Sequence, residues 1–144
     1  MDLTTSYPRS VKDKIAGVVM LARTADKAKA TLAGTNGEYH YNCPMDAALF
    51  AFLGIDHEKF LDAVKGGDAQ IDAFARLYVA RKSDAEIAQW NSDFLKRAPE
   101  RGGESERYFM QLRGEVAPDR TDVGTWADLL DLDEKREVPR MATA

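Results

Sequence analysis

The residues best suited to chemistry sit in one stretch, Gly37-Glu38-Tyr39-His40-Tyr41-Asn42-Cys43-Pro44-Met45-Asp46. It holds the only cysteine, one of the two histidines and two of the five tyrosines. A thiol placed just before a helix-opening proline lies where the helix dipole and free N–H groups favour negative charge. His40, three residues back, is a candidate proton partner, whereas Asp46 adds a negative charge that opposes a thiolate. The competing reading makes Cys43 a small buried hydrophobe, the usual fate of a free cysteine. His40, Cys43 and Asp46 also follow one another at three-residue spacing. A zinc site needs about four ligands, however, and the second histidine, His57, stands at an exposed helix start. No metal and no cofactor are expected.

Just upstream, Arg23, Asp26 and Lys27 form a compact charged set. They are either a surface group of i, i+3 and i, i+4 ion pairs, or a site where Arg23 and Lys27 meet an anion that also sees the helix opening at Pro44. Tyr39 and Tyr41 either pack in the core with their hydroxyls tied to backbone, or wall that pocket. The candidate ligand-binding residues are therefore Arg23, Asp26, Lys27, Tyr39, His40, Tyr41, Cys43 and Asp46, with no catalytic residue assigned.

The elements that position these residues read as helices. Ser10 with Asp13 resembles a capping box, and Val11, Ile15, Val18 and Ala22 recur at helical spacing. Gly17 marks a possible break, after which Thr24 caps a segment from Ala25 to Leu32. Gly34-Thr35-Asn36-Gly37 ends it in a tight turn. Residues 38–43 then read as a short extended segment, with Cys43 as N-cap and Pro44 at the first helical position. Met45, Ala48, Leu49, Phe52 and Leu53 make an apolar stripe that Gly54 closes.

Asp56 caps a further helix, Gly66-Gly67 ends it, and Asp68 opens another with Ile71, Phe74 and Tyr78 inward. Ser83 to Glu86 is a full capping box before Ile87, Trp90 and Phe94. Ser105 caps a helix carrying Phe109, Leu112 and Val116, and Thr125 caps a last short one carrying Trp126, Leu129 and Leu130. The expectation is an all-α, single-domain bundle of about six to eight short helices over residues 1–136, with a frayed tail over 137–144.

Composition bounds the function. The sequence carries a formal net charge of −4 with 44% hydrophobic and 31% charged residues. That is the balance of a globular protein, and it lacks the basic footprint of a nucleic-acid binder. Residues 1–43 hold six Lys/Arg against four Asp/Glu, a mild basic bias that suits an anionic ligand or a solvated face. The N-terminus has no basic region followed by an apolar run, so no signal peptide is expected. The longest apolar run, Ile15 to Ala22, falls far short of the roughly 20 residues needed to span a bilayer. A cytoplasmic protein with no membrane partner is expected. Phosphate-loop, dinucleotide-binding, hydrolase-elbow and di-iron motifs are absent.

Several stretches together carry a family resemblance: Tyr7-Pro8-Arg9-Ser10, Leu21-Ala22-Arg23-Thr24-Ala25-Asp26-Lys27-Ala28, the Gly37–Asp46 decapeptide, Phe52-Leu53-Gly54-Ile55 and Trp126-Ala127-Asp128-Leu129-Leu130-Asp131. The chain resembles the bacterial family known as domain of unknown function 5069. Ala22 stands where that family often has proline, which weakens the case for a helix break near Gly17. The resemblance implies a small helical bacterial protein and brings no activity with it. Three functions follow as expectations. The first is binding of a small anionic molecule at the decapeptide with Arg23 and Lys27. The second is an interaction module or homodimer in which the decapeptide is structural. The third is an enzyme using Cys43 or His40.

Overall fold

A computed structural model describes residues 1–140. The described residues form a two-residue hairpin, β1 (Lys14–Ile15) and β2 (Val18–Val19), followed by seven helices. These are α1 (Leu21–Ala33), α2 (Pro44–Leu53), α3 (His57–Val64), α4 (Asp68–Val79), α5 (Asp84–Leu95), α6 (Glu104–Val116) and α7 (Trp126–Asp133). The chain divides into two compact units, Met1–Asn91 and a second that starts at Ser92. The mostly helical fold is as the sequence leads one to expect.

In the first unit, α1 is the central element. It packs on β1 and on α3, and α3 packs on α4. Nine residues of α1 are buried, among them Arg23, Thr24, Asp26 and Lys27. A helix covered on nearly all sides is a core helix, and here the core helix carries three buried charges. Leu49, Phe50 and Leu53 of α2 are buried with Phe60 and Val64 of α3 and Ile71 of α4. Phe50 and Phe60 meet with ring centroids 5.3 Å apart, and Phe60 and Phe74 meet at 6.1 Å. Phe52 stacks on Trp90 at 4.9 Å.

The start of the chain departs from the expected first helix. Ala16 (φ 53) and Gly17 (φ 80) both adopt positive φ, which makes the two-residue turn of a hairpin rather than a helical step. Lys14 pairs with Val19 and Ile15 with Val18. Ser10 and Asp13 do meet, with the Ser10 amide donating to the Asp13 carboxylate at 2.9 Å, but the contact closes a turn. Asn91 ties this hairpin to α5. Its side chain accepts from the Val19 amide at 3.1 Å and donates to the Gly17 carbonyl at 2.9 Å. That long-range amide pairing is invisible to periodicity. Thr24 is not a cap either: α1 begins three residues earlier, at Leu21.

Residues 38–43 are likewise two turns and contain no strand. Asn42 takes positive φ (61°), which breaks the extended run, and the Asn36 side chain holds the Tyr39 carbonyl at 2.8 Å. Cys43 itself is extended, as an N-cap before Pro44 must be. Gly34 and Gly54 close α1 and α2 in the left-handed conformation, and Asp56 caps α3. Ser83 and Glu86 form the expected capping box in both directions, at 3.1 Å each.

In the second unit, α6 packs on α7. Phe109, Val123, Leu129 and Val138 form its buried centre, with Trp126 packed edge-on to Phe109 at 4.9 Å. Thr125 caps α7 as expected, whereas α6 starts at Glu104, before the expected cap Ser105. Arg120 donates to the carbonyls of Val138 (2.9 Å) and Pro139 (3.3 Å), and Arg140 pairs with Asp119 at 2.6 Å. The described part of the tail is thus held in place. Residues 141–144 of that tail lie outside the described residues.

The N-terminal residues lie against the turn that opens the decapeptide. The Leu3 amide donates to the Thr35 carbonyl at 2.8 Å, and the Thr35 hydroxyl donates to the Met1 carbonyl at 2.6 Å. Gly37 has φ +56, and a Cβ there would come within 2.9 Å of the Leu3 oxygen. Both conformation and space therefore require glycine. A Gly37→Ala variant should lose about 1–3 kcal/mol of stability, measured as a lower urea midpoint with an unchanged m-value.

Candidate functional site

The three buried charges on α1 dictate what surrounds them. A buried charge is costly unless it is paired and hydrogen-bonded. Lys27 is paired with Asp46, Nζ to Oδ2 at 2.7 Å, with side chains 5% and 0% exposed. Asp46 is further held by the Thr24 hydroxyl at 2.6 Å and by the backbone amide of Cys43 at 3.2 Å. One carboxylate thus accepts from an ammonium, a hydroxyl and the amide that precedes its own helix. The Lys27 ammonium also lies 3.2 Å from the Cys43 sulfur.

Asp26 plays the matching role on the next position of α1. It accepts from Arg9 three times: the backbone amide at 2.8 Å, Nε at 3.1 Å and Nη2 at 3.2 Å. Arg23 donates to the Arg9 carbonyl at 3.2 Å, and its guanidinium lies 5.6 Å from the centre of the Tyr39 ring. The cluster therefore joins three segments that are distant in sequence. These are the N-terminal segment through Arg9, α1 through Arg23 to Lys27, and the decapeptide through Tyr39, Cys43 and Asp46.

The sequence-predicted residues divide accordingly. Arg23, Asp26, Lys27, Tyr39, Cys43 and Asp46 come together. The surface ion-pair reading of Arg23, Asp26 and Lys27 does not hold, because all three are buried, and Asp26 and Lys27 pair with Arg9 and Asp46 from other segments. His40 is exposed and stays outside the network, as does the exposed His57 side chain. Tyr41 turns to the core: its ring lies 6.1 Å from Phe50 and 6.5 Å from Phe60, and its hydroxyl donates to the His57 carbonyl at 2.6 Å. Among the described residues, no group of three or more His, Cys, Asp or Glu is arranged to hold a metal ion. No helix among the described residues is long and apolar enough to cross a membrane.

Two members of the network, Arg9 and Thr24, were not among the candidates read from the sequence. Arg9 stands in Tyr7-Pro8-Arg9-Ser10, one of the stretches carrying the family resemblance, and that was the available signal. Thr24 looks like a cap by residue type, and nothing local reveals that its hydroxyl serves a carboxylate 22 positions later.

The model of domain of unknown function DUF5069 matches residues 5–136. The chain belongs to this family. The match takes in all three segments of the network. No curated protein matches the chain. The family's description specifies no activity, so the site's chemistry must be argued from the residues themselves.

Two predictions follow from this geometry. Lys27→Met strands the Asp46 carboxylate in the core and should cost about 3–5 kcal/mol. Adding Asp46→Asn removes the stranded charge, so the double variant should recover part of that loss. Urea unfolding of the four chains gives the coupling energy directly, and additive losses would contradict a direct pair. The second concerns Tyr41. Burial first, then the carboxylates of Asp46 and Asp56, pushes its hydroxyl above the ordinary tyrosine range. A raised pKa in the folded state contributes stability that is fully present below about pH 10 and is lost as pH rises past it. The unfolding free energy should therefore fall above that pH, and less steeply in Tyr41→Phe. At pH 7 the same variant should be less stable by about 0.5–1.5 kcal/mol for the lost hydrogen bond.

Proposed function

We propose that this is a cytoplasmic bacterial protein that binds a small anionic ligand at the Gly37–Asp46 stretch, with the α1 cations supplying the attraction. The observation that carries this reading is the gathering of three cations from two segments of the chain beside the decapeptide. Arg9, Arg23 and Lys27 stand together there, Arg9 holding Asp26 and Lys27 holding Asp46. Cations gathered in a partly dry environment draw an anion more strongly than a solvated lysine does. Lys27 is committed to Asp46 and supports the site. Arg23, lying beside the half-buried Tyr39 ring, contributes its charge from within.

A second reading has its own observation. Asp46 both pairs with Lys27 and caps the start of α2, so the decapeptide has a structural role without any ligand. On that reading the protein is an interaction or oligomerisation module, a homodimer included, and another surface makes the contact.

One experiment separates the two. Phosphate or a small carboxylate should raise the melting temperature by several degrees at saturating concentration. An Arg23→Ala variant, shown to be folded by circular dichroism, should lose the shift. No shift across a panel of anionic metabolites would remove the binding reading and leave the structural one.

A further inference from the structure

Residues 1–9 are attached to the rest of the first unit as a peptide is attached to a receptor. Only Leu3 and Pro8 of this arm are buried, and no part of it is helix or strand. Main-chain groups fasten it at both ends. The Leu3 amide and the Met1 carbonyl meet Thr35, at the turn that closes α1. At the other end the Arg9 amide donates to Asp26, and the Arg9 carbonyl accepts from Arg23. The arm therefore runs antiparallel to α1. Side chains set its register: Asp26 holds the Arg9 guanidinium through Nε and Nη2, and Gly37 gives the Leu3 carbonyl room that a Cβ would take. Main-chain bonds for affinity and side-chain seats for specificity are the means by which proteins bind peptides of another chain.

We infer that the arm of a second copy of this chain takes the same seat, so that two copies exchange residues 1–9 about a two-fold axis. This rests on the homodimer reading above and supplies its surface. Each bond between arm and α1 is kept when the arm comes from another copy, so exchange costs little beyond the change at the hinge. With two buried side chains, the arm also leaves its seat at a cost well below that of unfolding the unit. The hinge is the turn at Ser10. There the Ser10 amide donates to the Asp13 carboxylate at 2.9 Å, and the Asp13 amide donates to the Ser10 carbonyl at 3.1 Å. The anchored body resumes at Val11, which is 0% exposed and whose carbonyl accepts from the Met20 amide at 2.8 Å. The bend is thus confined to about one residue, and the two bodies meet beside it. The turn holds the arm in its own copy, and a swung arm gives up the bond from Ser10 to Asp13.

The test uses the full chain. Its mass by light scattering should rise towards that of a dimer between about 10 μM and 1 mM. In a sample mixing isotope-labelled and unlabelled chains, isotope-filtered nuclear Overhauser contacts should join Leu3 of one copy to Thr35 of the other. Asp13→Ala removes the acceptor at the hinge, and the Asp13 side chain is exposed and outside the arm's seat. That bond is lost once per chain in the separate copies alone, so the variant should associate about tenfold more tightly. A role confined to stability would leave association unmoved. A constant monomer mass up to the highest concentration sinks the homodimer reading and the exchange with it. A dimer without contacts from the arm of one copy to the body of the other overturns the exchange and leaves the homodimer reading standing. So does unchanged or weaker association of Asp13→Ala.

Discussion

The ion pair between Lys27 and Asp46 is the constraint on which the first unit depends. Its ammonium comes from the middle of a core helix, and its carboxylate from the first turn of α2. Neither side chain has access to enough water to be solvated alone. The segment between them must therefore return to α1 at one register, which places the Gly37 turn, the bend at Asn42 and the extended Cys43 within narrow limits. A buried pair of this kind is weak evidence for stability, because apolar replacements can do as well. Its effect is on specificity. A slip of one residue at either end would leave a charge uncompensated in the core.

The same logic explains Arg9. Asp26 is 1% exposed and lies on the helix one position before Lys27. It needs a cation, and Arg9 supplies one. The N-terminal segment brings that cation and is itself bound down by it, along with the Leu3–Thr35 backbone bond. A helix with charged residues on its covered faces thus recruits two otherwise unrelated stretches of chain. Hydrophobic burial makes the unit compact, but the charges decide which loop lies against which face.

Much of this was legible in the sequence, and the failures share a cause. Local signals were read correctly: the Ser83–Glu86 box, the Asp56 and Thr125 caps, the Gly34 and Gly54 stops, and Pro44 opening α2. Each involves residues within a few positions of one another. The expected first helix failed because Val11, Ile15 and Val18 satisfy a helical period and a hairpin equally over so short a span. The deciding partner, Asn91, lies more than 70 positions away. The surface reading of Arg23, Asp26 and Lys27 failed for the same reason. Spacing of i, i+3 and i, i+4 states that side chains share a helix face, and says nothing of whether that face meets water.

The stretches that carry the family resemblance acquire a physical meaning from this. Tyr7–Ser10, Leu21–Ala28 and Gly37–Asp46 are far apart in the chain, yet they supply Arg9, then Arg23 to Lys27, then Tyr39, Cys43 and Asp46 to one network. A motif rich in histidine, cysteine and tyrosine invites a catalytic interpretation. Here its cysteine sulfur lies against a lysine already held by aspartate, one tyrosine is bonded to a backbone carbonyl, and the histidine stands outside the cluster. The unusual residue types are accounted for by folding before any reaction is invoked. What folding does not require is that one guanidinium of the network remain half in solvent while its buried counterparts are sealed.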